Sequence, residues 1–183
     1  YDFQRYNQIV SDALARDERI YSAAYIMPSA SSLGHNRKHH NHLTLIERMM
    51  ADELPKQLSD TSSMQEAFEM LRSYPSLGDF LAYQYVTDLN YSPLTNFSEM
   101  AFVVPGPGAL DGIRKCFTDR GGLNDAEIIR FMADRQEIEF ERLRLRFHSL
   151  WGRRLQLIDC QNLFCEVDKY ARAGHPEING ISG

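Results

Sequence analysis

No apolar run in these 183 residues approaches the roughly 20 that a bilayer crossing requires, which excludes a transmembrane helix and leaves no membrane partner expected. The first residues, Tyr1-Asp2-Phe3-Gln4-Arg5, show no basic start, apolar stretch or cleavage site, so no signal peptide is read there. An initiator methionine is also missing, and a piece of a longer protein, without its N-terminal part, is expected. The Gly-Lys-Ser/Thr ending of a P-loop occurs nowhere, so the chain by itself is not expected to be a P-loop kinase. Only three cysteines are present, Cys116, Cys160 and Cys165, an odd and sparse set that points to a reducing, intracellular compartment. Cys160 and Cys165 are five apart, a spacing for core residues rather than metal ligands.

What is present is ordinary globular composition. Apolar residues at 43% and charged residues at 25% argue against wholesale disorder. The length suits one domain with a real core, read as 1–174 followed by a loose Gly- and Pro-containing tail, 175–183. A net charge of −5 offers no global attraction to nucleic acid, so any such contact requires a local patch. The charges are uneven: residues 47–69 hold six acids and two bases, whereas residues 130–154 hold seven arginines and four acids.

The periodicity predicts a nearly all-helical chain. Phe3, Tyr6, Ile9, Val10 and Leu14 mark a helix over 3–15, and residues 17–27 continue it or form another. A second amphipathic stretch spans 42–54. Ser62 and Gln65 read as a capping box for a helix over 63–73, with Met64, Ala67, Phe68 and Leu71 inward. Further helices are expected over 79–89, from Pro107 to Phe117, from Asn124 to about Leu150, and over 155–173. Asn124 and Glu127 cap the long one, whose apolar seam runs Ile129, Met132, Phe140, Leu143, Phe147, Leu150. Phe102-Val103-Val104 is a candidate extended piece.

Five segments are candidates for chemistry. Pro75-Ser76-Leu77-Gly78-Asp79 between two helices has a helix-hairpin-helix layout, in which Gly78 would let a phosphate approach the amides that open the next helix. A plain helix–helix turn is the simpler reading of that pattern alone, and Asp79 stands where a basic residue would favour phosphate. Pro105-Gly106-Pro107-Gly108 feeds a helix N-terminus, with Arg114 and Lys115 further on; an anion site and a rigid connector both fit. The run His35, His39, His40, His42 is mixed with Arg37 and Lys38, which favours a solvated or phosphate-facing loop over zinc. Arg135, Arg142 and Arg146 share one helical face, either tracking phosphates or solvated with pairs such as Glu139 to Arg142. Asp159, Asn162, Glu166 and Lys169 align on the last helix, for a base edge, for acid–base chemistry, or as a buried network. No cofactor or metal is expected.

Taken in order, Tyr74 to Gln84, Thr87 to Tyr91, Asn96 to Glu99, Pro105 to Ala109 and Asp159 to Tyr170 resemble the helical domain associated with 5-hydroxymethyl-deoxyuridine DNA kinases. That domain is similar to the alpha-glutamyl/putrescinyl thymine pyrophosphorylases, a branch of the helix-hairpin-helix DNA glycosylase superfamily. The resemblance covers residues 20–173. It implies an all-α, glycosylase-like bundle and a role in DNA base hypermodification: binding DNA and acting on, or presenting, a 5-hydroxymethyluracil derivative. An enzyme of that kind must take the base out of the stack. The implied location is the cytoplasm of a bacterium or phage-infected cell, or a nucleus.

Under this resemblance Gly78, Asp79, Gly106, Gly108, Arg114, Lys115, Arg142 and Arg146 are the candidate substrate and phosphate contacts. Asp159, Asn162, Glu166, Lys169 and Glu99 are the candidate catalytic residues. Counting on from Gly78 to where such glycosylases carry a catalytic Asp reaches Glu99 and the Pro105–Gly108 turn. Asp88 comes early and Asp111 late, so plain base excision is not expected. An enzyme here would be a transferase, pyrophosphorylase-like or glycosylase-like. Two other readings stand beside it: a non-catalytic nucleic-acid-binding module serving a kinase elsewhere in the longer protein, and a helical protein-interaction scaffold.

Overall fold

The structure, a computed structural model, describes residues 1–22, 26–147, 149–175 and 177. Among these the chain forms eight α-helices and no strand: α1 (Phe3–Ala15), α2 (Lys38–Ala51), α3 (Leu54–Ser59), α4 (Met64–Arg72), α5 (Asp79–Asn90), α6 (Pro107–Cys116), α7 (Asp125–Arg142) and α8 (Leu157–Gly174). The all-α class is as expected. No helix among the described residues is long and apolar enough to cross a membrane. The chain divides into two compact units, Tyr1–Asn96 and Phe97–Gly183.

In the first unit α1 packs on α2, α2 on α3, and α4 on α5. Asp2 caps α1 by accepting the Arg5 N–H at 3.0 Å. The described part of 17–27 is not helical; Ala23, Ala24 and Tyr25 lie outside the described residues. Helix α2 starts at Lys38, four residues before the apolar pattern does. The histidine run is therefore not a solvated loop. His39 and Asn41 are buried, and the Asn41 amide accepts the His35 N–H (2.9 Å) and donates to the carbonyls of Ser29 (2.9 Å) and His35 (3.0 Å). A carboxamide that replaces three loop hydrogen bonds is a reason for the loop to fold onto the helix. Glu53 then takes φ +54° and separates α2 from α3, whereas the sequence pattern carries one helix on to Leu54 and shows none over 55–59.

The cap of α4 is one residue later than predicted. Ser63, not Ser62, accepts the Glu66 N–H at 3.1 Å, while Glu66 accepts from the Ser62 N–H and hydroxyl. Met64, Ala67, Phe68 and Leu71 are buried as expected.

In the second unit α8 packs against α6 and α7. The Asn124–Glu127 capping box forms at the start of α7 as read from the sequence. Its end does not follow the apolar seam. At Arg142 the helix closes with Arg144 at φ +55°, the Arg144 N–H on Glu141 O (3.0 Å) and the Leu145 N–H on Phe140 O (2.8 Å). This is the glycine-type helix stop made without glycine. Leu143 and Phe147 consequently lie outside the helix and are exposed. Phe102–Val104 joins no strand. Of the expected tail, all but His175 and Glu177 lies outside the described residues.

Candidate nucleic-acid interface

Helix α8 opens with a capping box in which Gln156 and Asp159 satisfy each other's backbone N–H groups. From there Asp159, Asn162 and Glu166 run down one face, as their spacing predicts. With Phe140, Leu145, Arg146, Phe147, Leu150, Leu155 and Leu163 they line a cleft of about 530 Å³. A second hollow of about 450 Å³ shares Phe140, Leu145, Arg146 and Phe147 and extends to Glu137, Gly152, Arg153 and Arg154. The structure thus brings Asp159, Asn162, Glu166 and Arg146 together, with Lys169 one turn beyond.

Most charges around the cleft are already engaged. Arg153 holds Asp159 at 2.7 and 3.3 Å. Lys169 pairs with Glu166 at 2.6 Å, an exposed contact that raises the lysine pKa through that hydrogen bond. Arg142 and Arg135 both reach Glu139, at 2.7 and 3.4 Å, and the Arg142 hydrogen bond holds Glu139 below the usual carboxylate range. Arg154 donates to Ala133 O (2.6 Å) and pairs with Glu137, and Arg130 donates to the carbonyls of Met100 and Ala101. Arg144 and Arg146 make no ion pair among the described residues. Because α7 ends at Arg142, Arg146 does not share a helical face with Arg135 and Arg142; it enters the cleft from the following loop.

That loop is fixed at its far end. The Gln136 side chain imitates a paired backbone, donating to Leu155 O (3.0 Å) and accepting the Leu155 N–H (2.8 Å). Leu150 and Arg153 exchange both backbone hydrogen bonds, at 2.8 and 3.1 Å. Trp151 stands at the tip of the turn they close and is 93% exposed. The sequence pattern runs α7 on to about Leu150, where this turn begins, and passes over Trp151. The signal was there in a lone tryptophan followed by Gly-Arg-Arg.

The remaining predicted residues lie elsewhere. Gly106 is the buried N-cap of α6, but Arg114 and Lys115 sit in that helix's last turn, about 12 Å away at 1.5 Å rise per residue. They do not form one anion site with it. Arg114 pairs with the buried Asp111 at 3.4 Å. Lys115 pairs with Asp168, which is 1% exposed and also holds Arg172 at 3.1 Å. Gly108 faces α8: a Cβ there would lie 2.6 Å from Cys165 Sγ. Glu99 sits in the turn before α6 and does not line the cleft.

In the first unit Gly78 is the N-cap of α5 in extended conformation, with open space where a Cβ would be. Asp79 follows in the first turn and pairs with Arg72 at 2.5 Å, so a carboxylate already occupies the positive end of that helix. A separate, largely apolar cavity of about 570 Å³, walled by Leu45, Met49, Leu54, Leu71 and Leu77, takes in His42 of the histidine run but none of the candidate contact or catalytic residues. No three His, Cys, Asp or Glu side chains among the described residues are grouped to hold a metal ion. The buried Cys160 thiol is pushed up to about 11 by burial, and then by Asp159, which removes it as a nucleophile.

Three comparisons bear on this geometry. The family described as "5-hmdU DNA kinase, helical domain" matches residues 1–180. A protein of Bacillus phage SP10 described as a 5-hmdU DNA kinase is 26% identical over 184 residues, covering 92% of this chain. This chain spans only 29% of that relative's length. No solved structure matches.

Proposed function

The chain belongs to the family of the helical domain of 5-hmdU DNA kinase, and from that premise we propose that it is a DNA-handling module. In this reading it binds DNA and presents a 5-hydroxymethyluracil-type base to a phosphate-transfer centre carried elsewhere in the longer protein. The observation that carries the reading is the family match over 1–180, joined to a relative named a kinase of which this chain spans 29%. The absence of a P-loop ending in this sequence accords with a presenting rather than a phosphorylating role. The state of the cleft carboxylates supports it too. Asp159 is bound by Arg153 and by its cap, and Glu166 by Lys169, which suits positioning better than proton transfer. Asn162 is the cleft side chain suited to a base edge, and Arg146 the cation suited to a phosphate.

The test is a fluorescence-anisotropy titration of the chain with duplexes containing thymine, 5-hydroxymethyluracil or its phosphorylated form, at two salt concentrations. Salt-sensitive binding with a preference for a modified base is the expected result. No binding to any of the three at low salt overturns the reading. Chemical change of the modified base by this chain alone would make it the base-modifying enzyme instead, with Asn162, Glu166 and Lys169 as the residues to replace first.

A further inference from the structure

We propose that the turn Leu150–Arg153 is a base-stacking element, with Trp151 as the stacking side chain and Arg144 and Arg146 as its phosphate contacts. The inference rests on the DNA reading above and assigns it a surface. Between residues 142 and 154 stand five arginines and no acid, in a chain whose net charge is −5. Two of the five, Arg144 and Arg146, are exposed and without an ion pair among the described residues. The others are engaged, Arg142 with Glu139 on its own helix, Arg153 with Asp159, and Arg154 with Ala133 O and Glu137.

The backbone at the tip carries a second, independent observation. Trp151 and Gly152 have φ of +49° and +88° inside a two-residue turn closed by both Leu150–Arg153 hydrogen bonds. The Gly152 N–H is further satisfied by Ser149 Oγ at 3.0 Å. Such turns favour Asn-Gly, because both central residues must be left-handed. A bulky side chain at the first position is sterically costly. Here the cost is not recovered by burial, since the indole is 93% exposed.

Stacking on a nucleobase recovers it. The indole presents a flat face that any base can cover. The turn is closed on itself and tied down on its C-terminal side, by Arg153 to Asp159 and by Gln136 to Leu155, so little freedom is lost when it engages. Bases within a regular duplex already have stacking partners. The geometry therefore suits a base that has lost one, next to an extruded nucleotide, a mismatch or a gap.

Trp151 is the sole tryptophan in the chain, so its emission reports on this turn alone. The chain is titrated with a short duplex carrying 5-hydroxymethyluracil opposite a mismatch, with the fully paired duplex alongside, following tryptophan emission and, in parallel, anisotropy of labelled DNA. The expected result is quenching that tracks binding and is stronger for the mismatched duplex. Trp151→Ala should weaken binding to it by about ten-fold, with Trp151→Phe restoring most of the loss. Arg144→Gln with Arg146→Gln should lower the slope of log affinity against log salt by about 2. Binding by anisotropy with unchanged emission, and with Trp151→Ala equal to the parent, overturns the stacking role while leaving the DNA reading intact. Absence of binding to any duplex overturns both. Quenching by anionic lipid vesicles but not by DNA assigns the turn to a membrane surface and overturns the proposal.

Discussion

Gly112 on α6 lies against the backbone of Phe164 on α8 so closely that a Cβ at Gly112 would stand 2.0 Å from the Phe164 carbonyl oxygen. Four residues earlier Gly108 meets Cys165. The two glycines are one face of α6, and their lack of side chains is what lets the two helix backbones approach. In an exposed helix Gly→Ala stabilises by about 1 kcal/mol. Gly112→Ala should do the reverse, costing about 3 kcal/mol, because the obstacle is backbone and cannot swing aside. Chemical denaturation of the variant checks both sign and size. Gly108→Ala should cost less, and Cys165→Ala should recover part of it, since the obstacle there is a side chain.

Lys115, Asp168 and Arg172 form an ion cluster between α6 and α8 around a carboxylate that is almost wholly buried. Removing one cation from such a site leaves charge without compensation. Lys115→Met should destabilise the chain by about 2–3 kcal/mol, read from the denaturation midpoint. Its effect on the salt dependence of DNA binding should be nil, because that lysine is not presented to a ligand.

Trp151 sits where Asn is the preferred residue, so Trp151→Asn should raise stability by about 1 kcal/mol while weakening DNA binding. A melting curve and a binding isotherm on the same preparation check the two opposite signs. A gain in stability with unchanged affinity would mean the indole is not used.

His39 is buried in α2, and burial, followed by the charges of His40, Arg37 and His42, holds its pKa below the ordinary value. The unfolded chain takes up that proton near pH ~6.5, whereas the folded chain resists it. The His39 contribution is therefore complete above the unfolded value and is lost as the pH falls below it through the folded one. Denaturation midpoints at about pH 7.5 and about pH 5.5 should differ, with the lower stability on the acid side. His39→Gln should shrink the difference.

Most helix bounds were legible in the sequence, but the start of α2 and the ends of α2 and α7 were not. Asn124 with Glu127 marks the start of α7 because both residues of the box are adjacent in the chain. The ends of α2 and α7 were missed because Glu53 and Arg144 adopt the left-handed conformation that glycine normally announces. The shared face of Asp159, Asn162 and Glu166 followed from spacing alone. The partners of the arginines did not, except the local Glu139–Arg142 pair, because Arg154 to Glu137 or Arg130 to Met100 O joins elements that only the tertiary structure sets side by side. The pairing of Lys115, a candidate phosphate contact, was hidden for the same reason: its partner Asp168 is 53 residues away in the chain.

Asp159 has a consequence for how any variant at that position is to be interpreted. Its carboxylate accepts from the Gln156 N–H to start α8 and from Arg153 to anchor the tip of the preceding loop. One side chain is thus both the nucleus of a helix and the hinge pin of the surface beside it. Loosening the first turn of α8 and loosening the loop are a single event. Amide hydrogen exchange at Leu150–Arg153 and at the opening of α8 should accelerate in step when Asp159 is replaced, before any chemistry is involved.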